Sequence, residues 1–427
     1  MSGLDDTSVT IIVPTYNRAR YIGQALESLL SQTLPAKQVI VVDDGSKDNT
    51  RDIVSGFTAV EYVWKPNGGK STALNLGLKH ASGNLIWIFD DDDIAAPDAL
   101  ESLVSALAQN PRCGFAYGDY DMFTTEKDGK MYTVGVSFPA VRPDSLYLAL
   151  LERSFIAQQG LLVRKSCYEE VGPFDEALVR SQDFEMMLRL ARRYIGVRVN
   201  GVTAHLRQHS GVRGSESSPV SATKVVDSWV KHDYKIISEV YRTHELREFL
   251  PTATSRDLTD SETFTALLQR LCILARRGVW KEAARDLQQM QEIALRTGRT
   301  RLSTEETAIL RRMFDVFSYA PHTFDTTSAF FSVLRGVKPL RLRHEMRAAM
   351  VWSLPFSIGA ALLHHQYGDF KRFLHVYFAL ATPRAALRAF LSPSFFTTGL
   401  QLVRNRRRAP LTHNSNLQKP VYDSTAI

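Results

Sequence analysis

Leu85-Ile86-Trp87-Ile88-Phe89-Asp90-Asp91-Asp92-Asp93 sets five apolar residues directly against four carboxylates. The apolar run has the length and bulk of a buried strand, and charges at its end would stand at the carboxyl edge of a sheet, where α/β proteins bind ligands. Carboxylates crowded there repel one another unless a cation sits among them. Hard oxygen donors of this kind select Mg²⁺ or Mn²⁺, which combine one or two carboxylates with substrate phosphates. A solvated acidic turn is the simpler alternative for this segment taken alone.

Upstream, short apolar runs alternate with helical spacing, the pattern of a mostly parallel α/β sheet. Strands are expected at Val9–Val13, Val39–Val42, Val60–Trp64 and Leu85–Phe89, and helices at Tyr21–Ser31, Thr50–Gly56 and Ser71–His80. Right-handed crossovers put the ends of these strands on one edge. Downstream, a helix is expected from Pro97 to Ala108, strands at Phe115–Asp119 and across Met122–Val136 with a turn at Lys127-Asp128-Gly129, and a helix from Asp183 to Arg193. The Ser/Gly-rich stretch Ser210–Ser221 reads as a linker. Beyond it the patterns are helical, with Phe264–Arg277 and Trp280–Leu295 forming a pair joined at Gly278.

The chain has 427 residues, 44% hydrophobic and 23% charged, which is enough for more than one core. Cys113, Cys167 and Cys272 form no CxxC pair, so neither a disulfide framework nor a zinc site is indicated. The net charge of +7 is uneven, because residues 335–408 hold 13 Lys/Arg against Glu345 and Asp369. No apolar run reaches the length of a membrane span; Ala348–Leu363 is interrupted by Pro355 and Gly359. A cytoplasmic location is expected, since the N-terminus lacks a basic-then-apolar secretory pattern.

The strand-end loops Pro14-Thr15-Tyr16-Asn17, Asp43-Asp44-Gly45-Ser46 and Asp90-Asp91-Asp92-Asp93, in this order, closely resemble the inverting glycosyltransferases of family 2. The resemblance covers about Val9 to Gly211. It implies a GT-A fold, that is, a Rossmann-like, mostly parallel α/β sheet, with a helical C-terminal region added here. It also implies a nucleotide-sugar donor held by the first two loops and a divalent metal, Mn²⁺ or Mg²⁺, at a DxD site in the third. The residues suit these roles. Pro14 ends the strand, and Thr15, Tyr16 and Asn17 offer a hydroxyl, an aromatic face and an amide to a base. Asp43 or Asp44 can accept from a ribose or a pyrimidine N–H, although Asp-Gly-Ser is also a common turn. The segment Asn67-Gly68-Gly69-Lys70-Ser71-Thr72-Ala73-Leu74-Asn75 also resembles the family, which places a basic residue at Lys70 near the donor; it lacks the spacing of a triphosphate-binding loop. Aligned with the family pattern, Asp90 and Asp92 become the DxD pair, with Asp92 as metal ligand, while Asp91 and Asp93 orient it, ligate water or do neither.

On the acceptor side, Gly172-Pro173-Phe174-Asp175-Glu176 and Ser181-Gln182-Asp183-Phe184-Glu185 resemble the segment that carries the family's catalytic base. Gln182 replaces the commonly acidic first member, which leaves Asp183 as the base; as a residue met without that likeness it is a good helix N-terminal acid. Leu206-Arg207-Gln208-His209 resembles a loop that closes on the diphosphate, with Arg207 pairing phosphate and His209 ligating metal; His205 is a weaker candidate. The Gln/Arg-x-x-Arg-Trp motif of processive synthases is missing, which points to addition of one or a few sugars.

The organisation expected is therefore a catalytic domain over 1–221, a helical accessory region over 222–327, a basic aromatic-rich helical region over 328–409 and a disordered tail over 410–427. The acceptor class is a glycan or lipid-linked hydroxyl, as in cell-surface polysaccharide synthesis. The region 328–409 fits either an anionic membrane surface at the inner face of the cell membrane or a helical bundle with a basic outer face. A degenerate donor site whose basic half binds membrane or nucleic acid is the rival reading, and no nucleic-acid module accompanies it. Donor sugar, linkage and oligomeric state are not encoded in any motif.

Overall fold

The computed structural model describes residues 7–125, 131–135, 138–139, 141–208, 225–250, 256–315, 317–325, 328–363 and 366–381. The expected turn at 127–129, the linker Ser210–Ser221, His209 and the tail lie outside them. The described residues form two compact units: one holds those up to Leu150 and from Ser154 to His232, the other Leu151–Arg153 and those from Asp233 to Ala381.

The first unit is built on a nine-stranded sheet. Its parallel strands are β1 (Val9–Thr15), β2 (Gln38–Asp43), β3 (Val60–Trp64) and β4 (Leu85–Ile88), connected through helices α1 (Ile22–Leu30), α2 (Thr50–Ser55) and α3 (Lys70–His80). Branched Val and Ile dominate β1 and β2, whose residues are almost all buried, as a sheet covered on both faces requires. Ile11, Val13, Val41, Trp87 and Phe89 join α1 and α4 (Ala99–Gln109) in one apolar core. α3 lies close on the sheet because Gly77 has no side chain: a Cβ there would stand 2.5 Å from Ile12 Cγ2.

The rest of the sheet comprises β5 (Ile94–Ala95), β6 (Cys113–Thr125), β7 (Met131–Gly135), β8 (Leu161–Arg164) and β9 (Ile195–Arg207), in the order β3-β2-β1-β4-β8-β6-β9-β5 with β7 beside β6. α5 (Leu146–Glu152), α6 (Lys165–Val171) and α7 (Gln182–Arg193) complete the set. β8 runs antiparallel to β4 and β6, and β9 runs parallel to β6. Sequence spacing does not anticipate β8 or β9. β8 is a four-residue apolar run, and β9 alternates irregularly around Gly196 and Gly201, with register shifts against β6.

This topology places the site. β4, β6 and β9 all end at one edge of the sheet, and the antiparallel β8 begins there. Residues that follow β4 therefore meet residues that precede β8.

The second unit is helical. α8 (Val225–Thr243) runs into it, followed by α9 (Asp260–Arg276), α10 (Trp280–Thr297) and α11 (Thr304–Arg311). Capping boxes at Thr259/Glu262 and Ser303/Glu306 start α9 and α11. α9 and α10 pack together across Gly278, whose φ of 78° suits a residue without Cβ. Arg270 and Asp286, equidistant from Gly278 in the chain, form a buried two-pronged pair at 2.7 and 2.9 Å. Glu152 is likewise buried and accepts from Arg312 at 2.7 and 2.8 Å and from Gln269 at 2.8 Å.

Burial alone would raise the Glu152 pKa, but Arg312 and Arg276 outweigh it and hold it below the usual 4.5. A carboxylate depressed by folding stabilises the native state above its unfolded pKa, and the effect is lost as pH falls through the folded value. Glu152→Gln should therefore lower the unfolding free energy of the second unit near pH 7. The difference from wild type should shrink progressively below pH 4.5, measured by urea titration across the acid range. A pH-independent difference would count against the pair.

Candidate functional site

The first two loops are tied to each other. β1 and β2 pair with Thr15 opposite Asp43, so Pro14-Thr15-Tyr16-Asn17 and Asp43-Asp44 emerge side by side. Asn17 has a φ of 52°, and this left-handed turn lets its N–H donate to Ser46 Oγ while its Oδ1 accepts from the Lys47 N–H, both at 2.8 Å. Pro14 and Thr15 are buried, Tyr16 is half-buried and Asn17 is exposed.

Asp43 and Asp44 are both buried and already engaged. Asp43 accepts from the Ser46 N–H at 2.8 Å and the Tyr62 hydroxyl at 2.5 Å. Asp44 accepts from the Gly68 and Gly69 N–H groups at 2.9 and 2.7 Å, from Asn67 Nδ2 at 3.1 Å and from the Lys65 ammonium. Asp44 thus shapes the turn that launches α3. A carboxylate has about four acceptor positions, so Asp43 keeps lone pairs for a ligand.

Lys70 opens α3 directly after Gly69, whose φ is 95°. Its ammonium meets Asp90 Oδ1 at 2.5 Å. Burial works against the Lys70 charge, yet Asp90, Asp183 and Asp91 outweigh it and raise its pKa. One ammonium therefore stands in the field of both the acidic loop and the expected base.

The acidic loop itself is under electrostatic load. Burial, followed by Asp92, pushes Asp91 up to about 7 against the opposing pull of Arg18. Burial together with Asp92 and Asp90 raises Asp93 well above the carboxylate range. Arg18 Nε lies 3.5 Å from Asp91 Oδ1 and 3.9 Å from Asp92 Oδ2. Asp93 Oδ1 accepts from the Arg207 N–H at 2.7 Å. Arg207 Nε donates to the Asp92 carbonyl at 2.8 Å and its Nη2 to Gln24 at 2.7 Å, while its guanidinium lies over Tyr21 and Phe123. The side chain expected to reach phosphate here braces the acidic loop.

Asp183 lies in the first turn of α7, behind Ser181, whose φ of 58° turns the chain sharply into the helix. The loop leading to it is bolted to α3. Asn75 Oδ1 accepts from the Phe174 N–H at 2.8 Å, and Asn75 Nδ2 donates to the Phe174 carbonyl at 3.0 Å and to Glu176 at 2.9 Å. Ser71 Oγ donates to the Leu178 carbonyl at 3.3 Å. His205 Nδ1 sits 2.6 Å from Asp121 Oδ1, and His209 is outside the described residues.

The donor chemistry fits a divalent ion. Asp90 and Asp92 supply hard oxygen atoms in a cluster where mutual repulsion already perturbs the neighbours, a condition an added cation relieves. Among the described residues no group of three or more His, Cys, Asp or Glu is disposed to hold a metal. Two carboxylates completed by diphosphate oxygens is the set such ions take. Sequence spacing does not mark Arg18, Asn75 or Gln159. Gln159 precedes a strand that spacing does not mark either, and the adjacent Gln158-Gln159 before an apolar run is its one visible signal.

Residues 10–170 match the model of the family described as "Glycosyl transferase family 2". An uncharacterized glycosyltransferase of Rickettsia conorii is 34% identical over 190 residues, covering 44% of this chain and 32% of the relative. The chondroitin synthase of Pasteurella multocida is 28% identical over 191 residues, covering 43% of this chain and 19% of that protein. The chain thus spans about a third and a fifth of their lengths. A crystal structure of S. aureus TarS is 15% identical and covers 76% of this chain and 54% of its own, with a TM-score of 0.46.

Asp44→Ala should free the 65–70 turn, because the Gly68 and Gly69 N–H groups lose the carboxylate that holds them together. Limited proteolysis should then cut within 65–70, and resistance equal to wild type would show that the turn stands without Asp44.

Proposed function

We propose that this protein transfers a sugar from a nucleotide-diphosphate donor, a UDP-sugar, to a hydroxyl of a glycan or lipid-linked acceptor, with inversion, a reading supported by the match of residues 10–170 to the glycosyltransferase family 2 model. The observation that carries this reading is the Lys70 ammonium, bonded to Asp90 at 2.5 Å and in the field of Asp183. It supports a site in which Asp90, as the donor-phosphate end, and Asp183, as the base, share one electrostatic neighbourhood. The likeness to a chondroitin synthase supports a glycan acceptor and a place in polysaccharide synthesis, while the missing Gln/Arg-x-x-Arg-Trp motif supports one or a few sugars added per encounter.

In this mechanism Pro14, Thr15, Tyr16, Asn17, Asp43 and Asp44 line the nucleotide subsite. Lys70 faces the diphosphate, and Arg207 keeps the acidic loop in place beside it. Asp183 takes the proton of the acceptor hydroxyl as its oxygen attacks the anomeric carbon. The bond from that carbon to the diphosphate breaks, its electron pair leaves on the phosphate oxygen, and in-line displacement inverts the centre. A Mn²⁺ or Mg²⁺ ion held by Asp90 and Asp92, with His209 as a further ligand, would supply Lewis-acid neutralisation of the departing diphosphate.

Calorimetric titration of UDP and GDP, each with and without Mn²⁺, tests the donor side. Metal-dependent binding of UDP that is lost in Asp92→Ala is expected, and failure of both nucleotides under all conditions would overturn the reading. Asp183→Asn should keep donor affinity within about threefold yet reduce transfer by roughly 10³-fold or more, as removal of a general base does. Transfer retained at wild-type rate would remove Asp183 from that role.

Contact of residues 328–409 with an anionic membrane surface is a second proposal. Among the described residues no helix is long and apolar enough to cross a membrane. Phe356 and Leu362 are exposed on the helix Leu354–Leu363, and Tyr367, Lys371, His375 and Phe378 share one exposed stripe of the helix Tyr367–Leu380. The full chain should cosediment with phosphatidylglycerol vesicles in a salt-sensitive way, and Leu362→Glu/Phe378→Glu should weaken this by roughly tenfold. Absence of salt-sensitive sedimentation would sink the idea.

A further inference from the structure

One amide nitrogen outside every motif holds two of the four loop carboxylates. Gln159 Nε2 donates to Asp90 Oδ2 at 2.8 Å and to Asp93 Oδ2 at 2.6 Å. An NH₂ group has two hydrogens, and this geometry uses both on acidic oxygens. Gln159 is itself fixed. It is buried, its carbonyl accepts from Trp87 Nε1 at 2.7 Å, and the next residue is Gly160, where a Cβ would stand 3.0 Å from the Gly118 carbonyl oxygen. Trp87 belongs to β4, the strand that delivers the acidic loop, so the clamp and the loop share one rigid support.

We propose that Gln159 is a positioning residue for the acidic loop, fixing Asp90 and Asp93 so that the loop presents Asp92 in a set arrangement to cation and donor. A neutral donor is the group such a position calls for. A further lysine or arginine, added to Lys70 and Arg18, would compete with an incoming divalent ion, whereas an amide satisfies two carboxylate oxygens and adds no positive charge. Asp90 then divides its oxygens between Gln159 and Lys70, and Asp93 divides its own between Gln159 and the Arg207 N–H. The loop is thereby pinned from β8, α3 and β9 at once. The consequence for metal and donor rests on the glycosyltransferase reading above; the clamp on the loop does not.

Amide hydrogen exchange of the free protein, together with Mn²⁺ titration in the presence of UDP, tests the proposal on Gln159→Leu. Gln159→Met, which keeps length and volume without the amide, serves as a second variant should the first fail to fold. Loss of two charge-assisted hydrogen bonds should accelerate exchange across 90–96 by about tenfold or more. Exchange in α4 and the thermal midpoint should stay near wild type, and Mn²⁺ affinity should fall by about tenfold. Gln158→Leu, next in sequence, should leave 90–96 unaltered. Unchanged exchange at 90–96 in a folded Gln159 variant would overturn the clamp, as would equal acceleration throughout the first unit. Faster local exchange with no Mn²⁺ binding even to wild type would uphold the clamp and instead refute the metal-dependent reading of the site.

Discussion

Four carboxylates at the end of one buried strand are the constraint around which the first unit is arranged. Left alone they would repel, and their burial makes the repulsion worse, as the upward shifts of Asp91 and Asp93 record. The protein answers with groups from four directions: Lys70 from α3, Arg18 from the loop after β1, Gln159 ahead of β8, and the backbone and side chain of Arg207 at the end of β9. Gln159 reaches the same edge because β8 runs antiparallel to β4 and β6.

The same economy joins the acidic loop to the loop that leads to Asp183. α3 presents Lys70 at its first turn and uses the adjacent Ser71 and, one turn further on, Asn75 to hold that second loop. A shift of that helix would move both halves of the site together. Its seat is set by the Asp44 turn before it and by Gly77 against Ile12. Left-handed turns at Asn17 and Ser181, unusual for residues with a Cβ, mark the two loops where direction matters most.

The second unit solves a different problem. Its helices bury Arg270 with Asp286 and Arg277 with Asp233, and match the buried Glu152 with a partly exposed Arg312, each through hydrogen bonds to the charged atoms. Breaking such pairs is costly because an uncompensated charge remains inside, although a matched pair adds little over apolar packing. The pairs select one arrangement of helices that share similar apolar faces.

The repeated strand-then-acid pattern at Val39–Asp44 and Leu85–Asp93 was enough to read the parallel half of the sheet, because covered parallel strands are continuously apolar and end abruptly at their ligand-facing loops. The family likeness of the three loops likewise picked out residues that lie along one edge. β8 and β9 were not readable: one is short, and the other draws its regularity from pairing with β6 rather than from its own alternation. What the sequence determined by itself was therefore local, namely which strands are buried and which loops carry the carboxylates and the amide of Asn17. Only the tertiary structure decided that Gln159, Arg18 and Asn75 belong to the site and that Arg207 is a brace, since these roles arise from pairings between residues 69 to 115 positions apart, or from strand directions, which no local pattern encodes.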